Sequence, residues 1–280
     1  MLKRSSLILA VLGVFVGVPV SAHASQPLET ETARLLKQGM FKVESTVEYQ
    51  TSSEGSEVAI PLALEYGITD YLEVLVEPVL YSVISPKVGP GANGQGDLEI
   101  TLSFLALNER DWLPAFAIAG EVKVPTASSK LIGSGEADYT PFLIASKRFG
   151  RWDAHANLGY SILGRPPGVK LDNIITYAAA LEWHLEMFDI VAEVIGNTSS
   201  SPSQSNNLTP PGEVPDPGEG DMNPAVESAL TPEAVGEEVV GLIGGRYYLQ
   251  PNLFLSAGVS YDNKHAVVIR PGVTWKFSVL

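Results

Sequence analysis

Acidic side chains at alternate positions of several apolar segments are the residues of this sequence most able to act on a solute. Along residues 72–77, for example, Glu73 and Glu77 alternate with Leu72, Val74 and Val76. A charge that faces lipid at the bilayer midplane costs roughly 2–4 kcal/mol for Arg or Lys and less for an acid, so in a membrane barrel such charges point into the lumen. The predicted pore-lining residues are Glu44, Glu48, Glu65, Glu73, Glu77, Glu99, Glu121, Lys123, His155 and Arg270.

Acids outnumber bases in this set, which predicts a modest preference for cations, with neutral solutes also passing. Glu73 and Glu77 are the expected main determinants, because no base stands near them on the neighbouring predicted strands. Closure of a barrel would bring Arg270 of the last strand near Glu44 or Glu48 of the first.

His155 and His184 are the residues that could serve a hydrolytic enzyme, since a histidine paired with Ser or Asp can act as a general base. The sequence contains neither GxSxG nor HExxH, and no serine is spaced in the chain so as to pair with either histidine. Gly89, Gly91 and Gly94 match a dinucleotide fingerprint by letters only, because they lead into a strand instead of a helix. We therefore predict no catalytic residue, no metal site and no cofactor, and we keep a barrel lipase or protease as an alternative.

The alternation of apolar and polar residues with a period of two decides the fold class. It predicts an all-β protein, a transmembrane antiparallel up-and-down β-barrel of about 12 strands. Each strand is near the 9–11 residues that cross a bilayer at a tilt, and the even number lets both chain ends lie on one side. The strands are predicted around residues 41–49, 57–66, 72–77, 97–104, 113–124, 139–148, 152–160, 174–184, 187–196, 239–248, 253–261 and 266–278.

Tight and long connections alternate along the chain, as they do in outer-membrane barrels with short periplasmic turns and longer outer loops. Links such as Gly150–Arg151 are tight, whereas 82–95, 125–138 and 163–173 are long and rich in Gly, Pro and Ser. The longest, 197–236, is predicted to be external, and it could fold inward as a pore constriction. A Ca²⁺ site in that loop would use Asp216, Glu219 and Asp221.

Composition and charge exclude several other classes of protein. The 280 residues include 18 Lys and Arg against 32 Asp and Glu, giving a formal net charge of −14, and they include no Cys. The acid excess excludes a nucleic-acid binder, which needs a basic surface. Without Cys there are no disulfide scaffolds or thiolate zinc sites. After the N-terminus, no apolar run approaches the roughly 18 residues of a spanning helix.

The N-terminus predicts an exported protein. Lys3 and Arg4 precede the apolar stretch 7–20, and Ala22-His23-Ala24 has the small-x-small pattern of a signal-peptidase site. We predict a signal peptide at 1–24, a short periplasmic N-terminal segment at 25–39 and the barrel at 40–280.

Four segments resemble an outer-membrane family labelled as the MetA-pathway of phenol degradation. They are residues 94–98 (GQGDL), residues 121–126 (EVKVPT), Gly133-Ser134-Gly135 with Asp138, and residues 157–160 (NLGY). Thr32–Leu36 followed by Gly39 is also similar, whereas Ala127 departs from the glycine usual in the family. The resemblance covers essentially the whole chain after residue 24. It implies an outer-membrane barrel that transports small, often hydrophobic compounds, and it brings no established catalytic residue.

Together these patterns predict a channel for passive uptake of small solutes, including hydrophobic or aromatic compounds, in the outer membrane of a Gram-negative bacterium. The expected partners are outer-membrane lipid and lipopolysaccharide, the barrel assembly machinery and the solutes themselves, with no nucleic acid. The apolar repeat Val273, Trp275, Phe277 and Val279 near the C-terminus resembles the signal that this machinery reads. A plugged structural or adhesion barrel remains a further alternative.

Overall fold

The computed structural model describes residues 27–166, 171–200 and 237–279. Their strands are β1 (Met40–Thr46), β2 (Glu48–Thr51), β3 (Gly55–Thr69), β4 (Leu72–Pro86), β5 (Ala92–Gly94), β6 (Leu98–Leu107), β7 (Ala115–Val124), β8 (Asp138–Phe149), β9 (Trp152–Ser161), β10 (Ile174–His184), β11 (Phe188–Asn197), β12 (Glu238–Gln250), β13 (Leu253–Asp262) and β14 (Val267–Ser278). Among these residues there is no helix long and apolar enough to cross a membrane.

These segments form one closed antiparallel barrel of twelve strands. β1 and β2 are two pieces of one strand, since both pair with β3 and β14, and β5 and β6 both pair with β4. β1 closes the barrel on β14 over seven residue pairs, from Met40 with Ser278 to Thr46 with Gly272. Closure leaves no unpaired strand edge, which a sheet in a bilayer requires. The predicted fold class is confirmed.

The two faces of the sheet have opposite chemistry. In β6, Leu102 and Phe104 on the outer face are 49% and 47% exposed, whereas Thr101 and Ser103 on the inner face are buried. Exposure of this apolar outer face to water would be unfavourable, whereas contact of the same face with lipid is stable. The trans-strand pair Trp152 and Trp183 stacks on this outer face at the end of the barrel where the tight turns lie.

That end is here named the turn end, and the opposite end, with the longer connections, the loop end. Met40 and Ser278 both lie at the turn end, as the sequence predicts for an even-stranded barrel. The predicted signal peptide 1–24 and most of the predicted external loop 197–236, including its three candidate Ca²⁺ ligands, lie outside the described residues.

An irregularity in β4 reverses which residues face inward near the loop end. Ile60 of β3 pairs with Tyr81 and the next residue, Pro61, pairs with Val79, so Leu80 is an extra residue. Pro61 and the nearby Pro78 have no N–H to donate, which favours a bulge at this point. Consequently Ser82 faces the interior, although the register of Glu73 would have put it outside.

Residues 27–36 lie inside the barrel, which corrects the prediction of a periplasmic segment for this stretch, whereas Lys37 and Gln38 are exposed at the turn end. The backbone N–H groups of Leu28 and Thr30 donate to the Glu193 carboxylate of β11, with N–O distances of 2.5 and 2.8 Å. Leu36 donates from its backbone nitrogen to Glu73. The extended segment has backbone donors that need partners, and the inward-facing carboxylates and hydroxyls of the strands supply them.

Candidate functional site

The interior contains a cavity of about 320 Å³ between the N-terminal segment and the loop end. Its wall on β1–β7 is acidic, and Lys42 is the one basic residue among the described residues that line it. The N-terminal segment adds two further acids as the floor. The acids that line the cavity are Glu29, Glu31, Glu44, Glu48, Glu57, Glu77, Asp97, Glu99, Glu121 and Glu238.

The opposite wall, on β8–β12, combines apolar and polar side chains. Its apolar members are Phe142 of β8, Ala178 of β10, Ile195 of β11 and Val240 of β12. Its polar members are Asn157, Thr176, Asn197 and Glu238. A molecule in the cavity would therefore meet acids on one side and a mixed surface on the other.

Five of the ten predicted pore-lining residues line this cavity, namely Glu44, Glu48, Glu77, Glu99 and Glu121. The other five lie on inner faces but are committed to contacts elsewhere. Glu65 pairs with Lys42, Glu73 accepts the Leu36 N–H, Lys123 pairs with Asp138, His155 contacts Ser146, and Arg270 pairs with Glu29. Arg270 also lies 4.0 Å from Glu48 between Nη1 and Oε1, as barrel closure predicted.

Glu77 and Glu99 are directly opposed on β4 and β6. Among the described residues, neither carboxylate has a hydrogen bond or a cation within ion-pair distance. Glu73, which the sequence placed beside Glu77 as a determinant of selectivity, is instead used to hold the backbone of Leu36. The accessible acid pair is thus Glu77 with Glu99.

The N-terminal segment is held by polar contacts along its length. Its Arg34 bridges Glu109 of the β6–β7 turn and Asp153 of β9, at N–O distances of 2.8 and 3.0 Å. Ala33 donates from its backbone nitrogen to Ser146 of β8 at 2.8 Å. The segment therefore occupies the lumen from the turn end to the floor of the cavity.

Glu109 lies outside the membrane-spanning strands. Burial raises the pKa of its carboxyl, but hydrogen bonds from Lys147 and Arg34 outweigh that effect, and the pKa lies below its ordinary value. The Lys147 ammonium lies 2.9 Å from the Glu109 carboxylate. Lys147 of β8 therefore holds the β6–β7 turn.

A buried ionic network at the turn end was not foreseen from the sequence. Arg246 of β12 pairs with Glu182 and Asp189, while His184 lies between Asp189 and Asp153 at distances of 3.0 and 2.9 Å. Glu182, His184 and Asp189 approach closely enough to hold a metal ion. The Arg246 guanidinium supplies a positive charge beside the Glu182 and Asp189 carboxylates.

Ser146, His155 and Glu182 form a row across β8, β9 and β10, so the prediction that no serine pairs with a histidine was wrong. Ser146 Oγ lies 2.8 Å from His155 Nδ1, and His155 Nε2 lies 3.3 Å from Glu182 Oε1. This contact could have been inferred from the tight turn between β8 and β9. The turn pairs Phe149 with Trp152, and counting back along the two strands from that pair puts Ser146 opposite His155. All three side chains are buried, and Ala33 covers the serine.

Several solved barrels have the same fold. The COG4313 outer membrane channel from Pseudomonas putida F1 is 10% identical, with a TM-score of 0.61 over 88% of this chain and 98% of that one. The NanC porin is 10% identical, with a TM-score of 0.55 over 84% and 100% of the two chains. The KdgM porin, solved in complex with disordered oligogalacturonate, is 10% identical, with a TM-score of 0.53 over 84% and 99%. The barrel thus resembles proteins of the outer membrane.

At the level of sequence, none of the curated proteins matches the chain. A family model matches residues 24–209, about two thirds of the chain, and this stretch includes the four segments on which the resemblance rested. The protein belongs to the family described as "Putative MetA-pathway of phenol degradation".

Proposed function

We propose that this protein is a channel for the passive passage of small solutes across the outer membrane of a Gram-negative bacterium. The observation that carries the proposal is a closed barrel with an apolar outer face and a solute-sized, acid-lined cavity in its interior. Eight strands enclose little more than their own side chains and sixteen to eighteen leave a broad channel, so a twelve-stranded barrel has room for a narrow lumen. The family and the porin-like fold support the same function.

The proposed solutes are cationic or neutral. An acidic wall in a narrow, partly desolvated lumen concentrates cations and repels anions, because its field is weakly screened there. Oligogalacturonate, the compound found with one similar porin, is a chain of acidic sugars. The acid-lined cavity here opposes such a polyanion, and Phe142, Ile195 and Val240 give it apolar surface for hydrophobic or aromatic compounds.

The N-terminal segment narrows the route through the barrel. Solutes pass beside residues 27–36 or require their displacement, because this stretch lies in the lumen below the cavity. The segment is anchored by side chains of four different strands and one turn instead of a continuous ladder, so it can leave without breaking the barrel.

Planar-bilayer conductance of the refolded full-length protein tests the proposal. We expect small single-channel currents from the intact protein and larger ones after deletion of residues 27–36, with the barrel verified by gel mobility with and without heating. Absence of current in both proteins would overturn the channel and favour the plugged structural barrel. Equal currents would mean that solutes do not follow the route occupied by the segment.

We also propose that the barrel assembly machinery and the lipids of the outer membrane contact the outer face of this barrel. On β14, Val273, Trp275 and Phe277 share the outer face that the barrel assembly machinery would read. Lipid and lipopolysaccharide would contact this apolar face once the barrel is inserted.

A barrel hydrolase is the second candidate, favoured by the Ser146–His155–Glu182 row. A nucleophilic serine needs a base within hydrogen-bond reach, and His155 satisfies that requirement. However, Ser146 Oγ also accepts the Ala33 N–H, and Arg246 shares the Glu182 carboxylate, so the row serves packing in this state. Covalent labelling of Ser146 by a fluorophosphonate, lost in Ser146→Ala, would establish the hydrolase. Absence of labelling even after deletion of residues 27–36 would exclude it.

A further inference from the structure

The connection between β7 and β8, residues 125–137, folds onto the inner wall of the barrel at the loop end. Its first anchor is Asp97, which immediately precedes β6 and shares the inward face of that strand with Glu99 and Thr101. Asp97 is buried, lines the cavity, and accepts the Ala127 N–H at 2.8 Å. A loop that is held by an inward-facing side chain lies inside the ring of strands, so this connection borders the cavity from the loop end.

A second anchor holds the other end of this loop. Lys123 of β7 and Asp138 of β8 are paired across the two strands, both are buried, and Lys123 Nζ lies 2.6 Å from Asp138 Oδ2. The same ammonium donates to Ser134 Oγ at 3.2 Å. Hydrogen bonds to ionised groups are roughly twice as strong as those between neutral groups, so the two anchors together hold the loop against the wall.

The loop packs so closely on this wall that one of its positions requires glycine. A Cβ added to Gly133 would collide with the Asp97 carboxylate and would lie 2.8 Å from Ala127 Cβ. Gly133 is buried, and the residue before it, Ile132, lines the cavity. Of residues 125–137, all of which the structure describes, Ile132 alone reaches the cavity. An apolar side chain therefore borders the cavity on the side of the longer connections.

We propose that the loop 125–137 is the outer constriction of the channel, with Ile132 as the side chain that limits solute size and Asp97 as the residue that positions it. Ile132 carries no charge, so the constriction acts on the size of a solute, whereas the acids of the cavity act on its charge. The inference rests on the proposed channel function and names the place where the size limit of that channel is set.

Covalent modification at position 132 tests the proposal. The chain has no Cys, so Ile132→Cys introduces a unique thiol. Reaction of this thiol with benzyl methanethiosulfonate, a neutral reagent, should lower the single-channel current in planar bilayers about twofold, because the added group narrows the pore, and dithiothreitol should restore the current. Lys130→Cys is the matched control, because Lys130 is an exposed residue of the same loop outside the cavity. Its modification should leave the current unchanged.

Displacement of the loop should have the opposite effect. Gly133→Ala removes no charge, and the new methyl group forces the Asp97 carboxylate and the loop apart. We expect a larger single-channel current and entry of larger neutral polyethylene glycols, which lower the current when they fit into the pore. Gly120→Ala of β7 is the control, because a Cβ added at Gly120 meets no atom within 4 Å, and it should behave as the unaltered protein does.

The outcomes separate this constriction from the channel itself. Mass spectrometry verifies complete modification, and gel mobility with and without heating verifies each barrel, so the Ile132→Cys result stands even if Gly133→Ala fails to fold. An unchanged current after complete modification of Ile132→Cys, or an equal loss in Lys130→Cys, would overturn the constriction alone. Absence of current from the unaltered protein would overturn the channel, and the constriction with it.

Discussion

The Glu193 carboxylate lies 2.8 Å from the backbone nitrogen of Thr30, so the middle of β11 holds a segment that precedes the first strand of the barrel. The same carboxylate accepts the Leu28 N–H and the Thr30 hydroxyl. One side chain thereby satisfies several donors that would otherwise be buried without partners. Glu193 is therefore one of the main anchors of the segment.

Glu193→Ala should release the part of the segment around Leu28 and Thr30. Loss of a buried acceptor leaves donors unsatisfied, at a cost of about 1–3 kcal/mol, which favours exit of the segment. The chain has no Cys, so Ala33→Cys introduces a unique thiol at a position whose anchoring contact is made by the backbone. Maleimide should label this thiol slowly, and at least fivefold faster when Glu193→Ala is added.

Glu54→Ala in the β2–β3 loop serves as the control and should leave the labelling rate unchanged. Equal labelling with and without Glu193 would show that the other anchors hold the segment unaided.

The Arg34–Glu109 contact should make anchoring of the segment depend on pH. The folded-state pKa of Glu109 lies below its ordinary value of 4.5. A lowered pKa means stabilisation that is fully present above the unfolded value and is lost as the pH falls through the folded one. Glu109→Gln should therefore be less stable than the unaltered protein above pH 4.5, with the difference vanishing at lower pH.

Urea unfolding in lipid vesicles at a series of pH values measures this difference. A gap between the two proteins that persists unchanged to the lowest pH would contradict an ionised Glu109 as its source.

Alternation predicted the barrel because lipid and lumen are two different solvents, and a strand between them must present a different chemistry to each. Leu98, Ile100 and Leu102 against Glu99 and Thr101 therefore specify both the strand β6 and its faces. The acid wall of the cavity followed from the same argument.

The N-terminal segment could not be predicted in this way, because its contacts are distant in the sequence and leave no periodic pattern. Thr30 and its acceptor Glu193 are 163 residues apart. The inward position of Ser82 was also hidden, since a single extra residue at Leu80 reverses the alternation. By contrast, the Ser146–His155 contact could have been predicted from the register of the β8–β9 hairpin.

Residues 201–236 should be cut by a protease added to intact cells. Their Pro- and Ser-rich sequence favours cleavage, and the described flanks Asn197 and Glu238 lie at the loop end. The cleaved barrel should keep its heat-dependent gel mobility. Cleavage that occurs only after the outer membrane is opened would put the loop end in the periplasm and reverse the proposed orientation.

The acid pair Glu77 and Glu99 should set the ion selectivity of the channel. Both line the cavity and lack a counter-charge within ion-pair distance among the described residues, so their field acts on passing ions. Changing both to Gln keeps the side-chain volume and removes two negative charges. Reversal potentials in a salt gradient should then move from a cation preference toward the non-selective value.

Glu73→Gln tests whether removal of any inward-facing carboxylate changes the ion selectivity, or only removal of the pair Glu77 and Glu99. Glu73 is buried and holds the Leu36 N–H, and Gln retains an acceptor for that bond, so selectivity should change little. Glu54→Gln in the β2–β3 loop should have no effect. A larger shift from Glu73 than from the Glu77–Glu99 pair would mean that ions pass along the N-terminal segment without entering the acid-lined cavity.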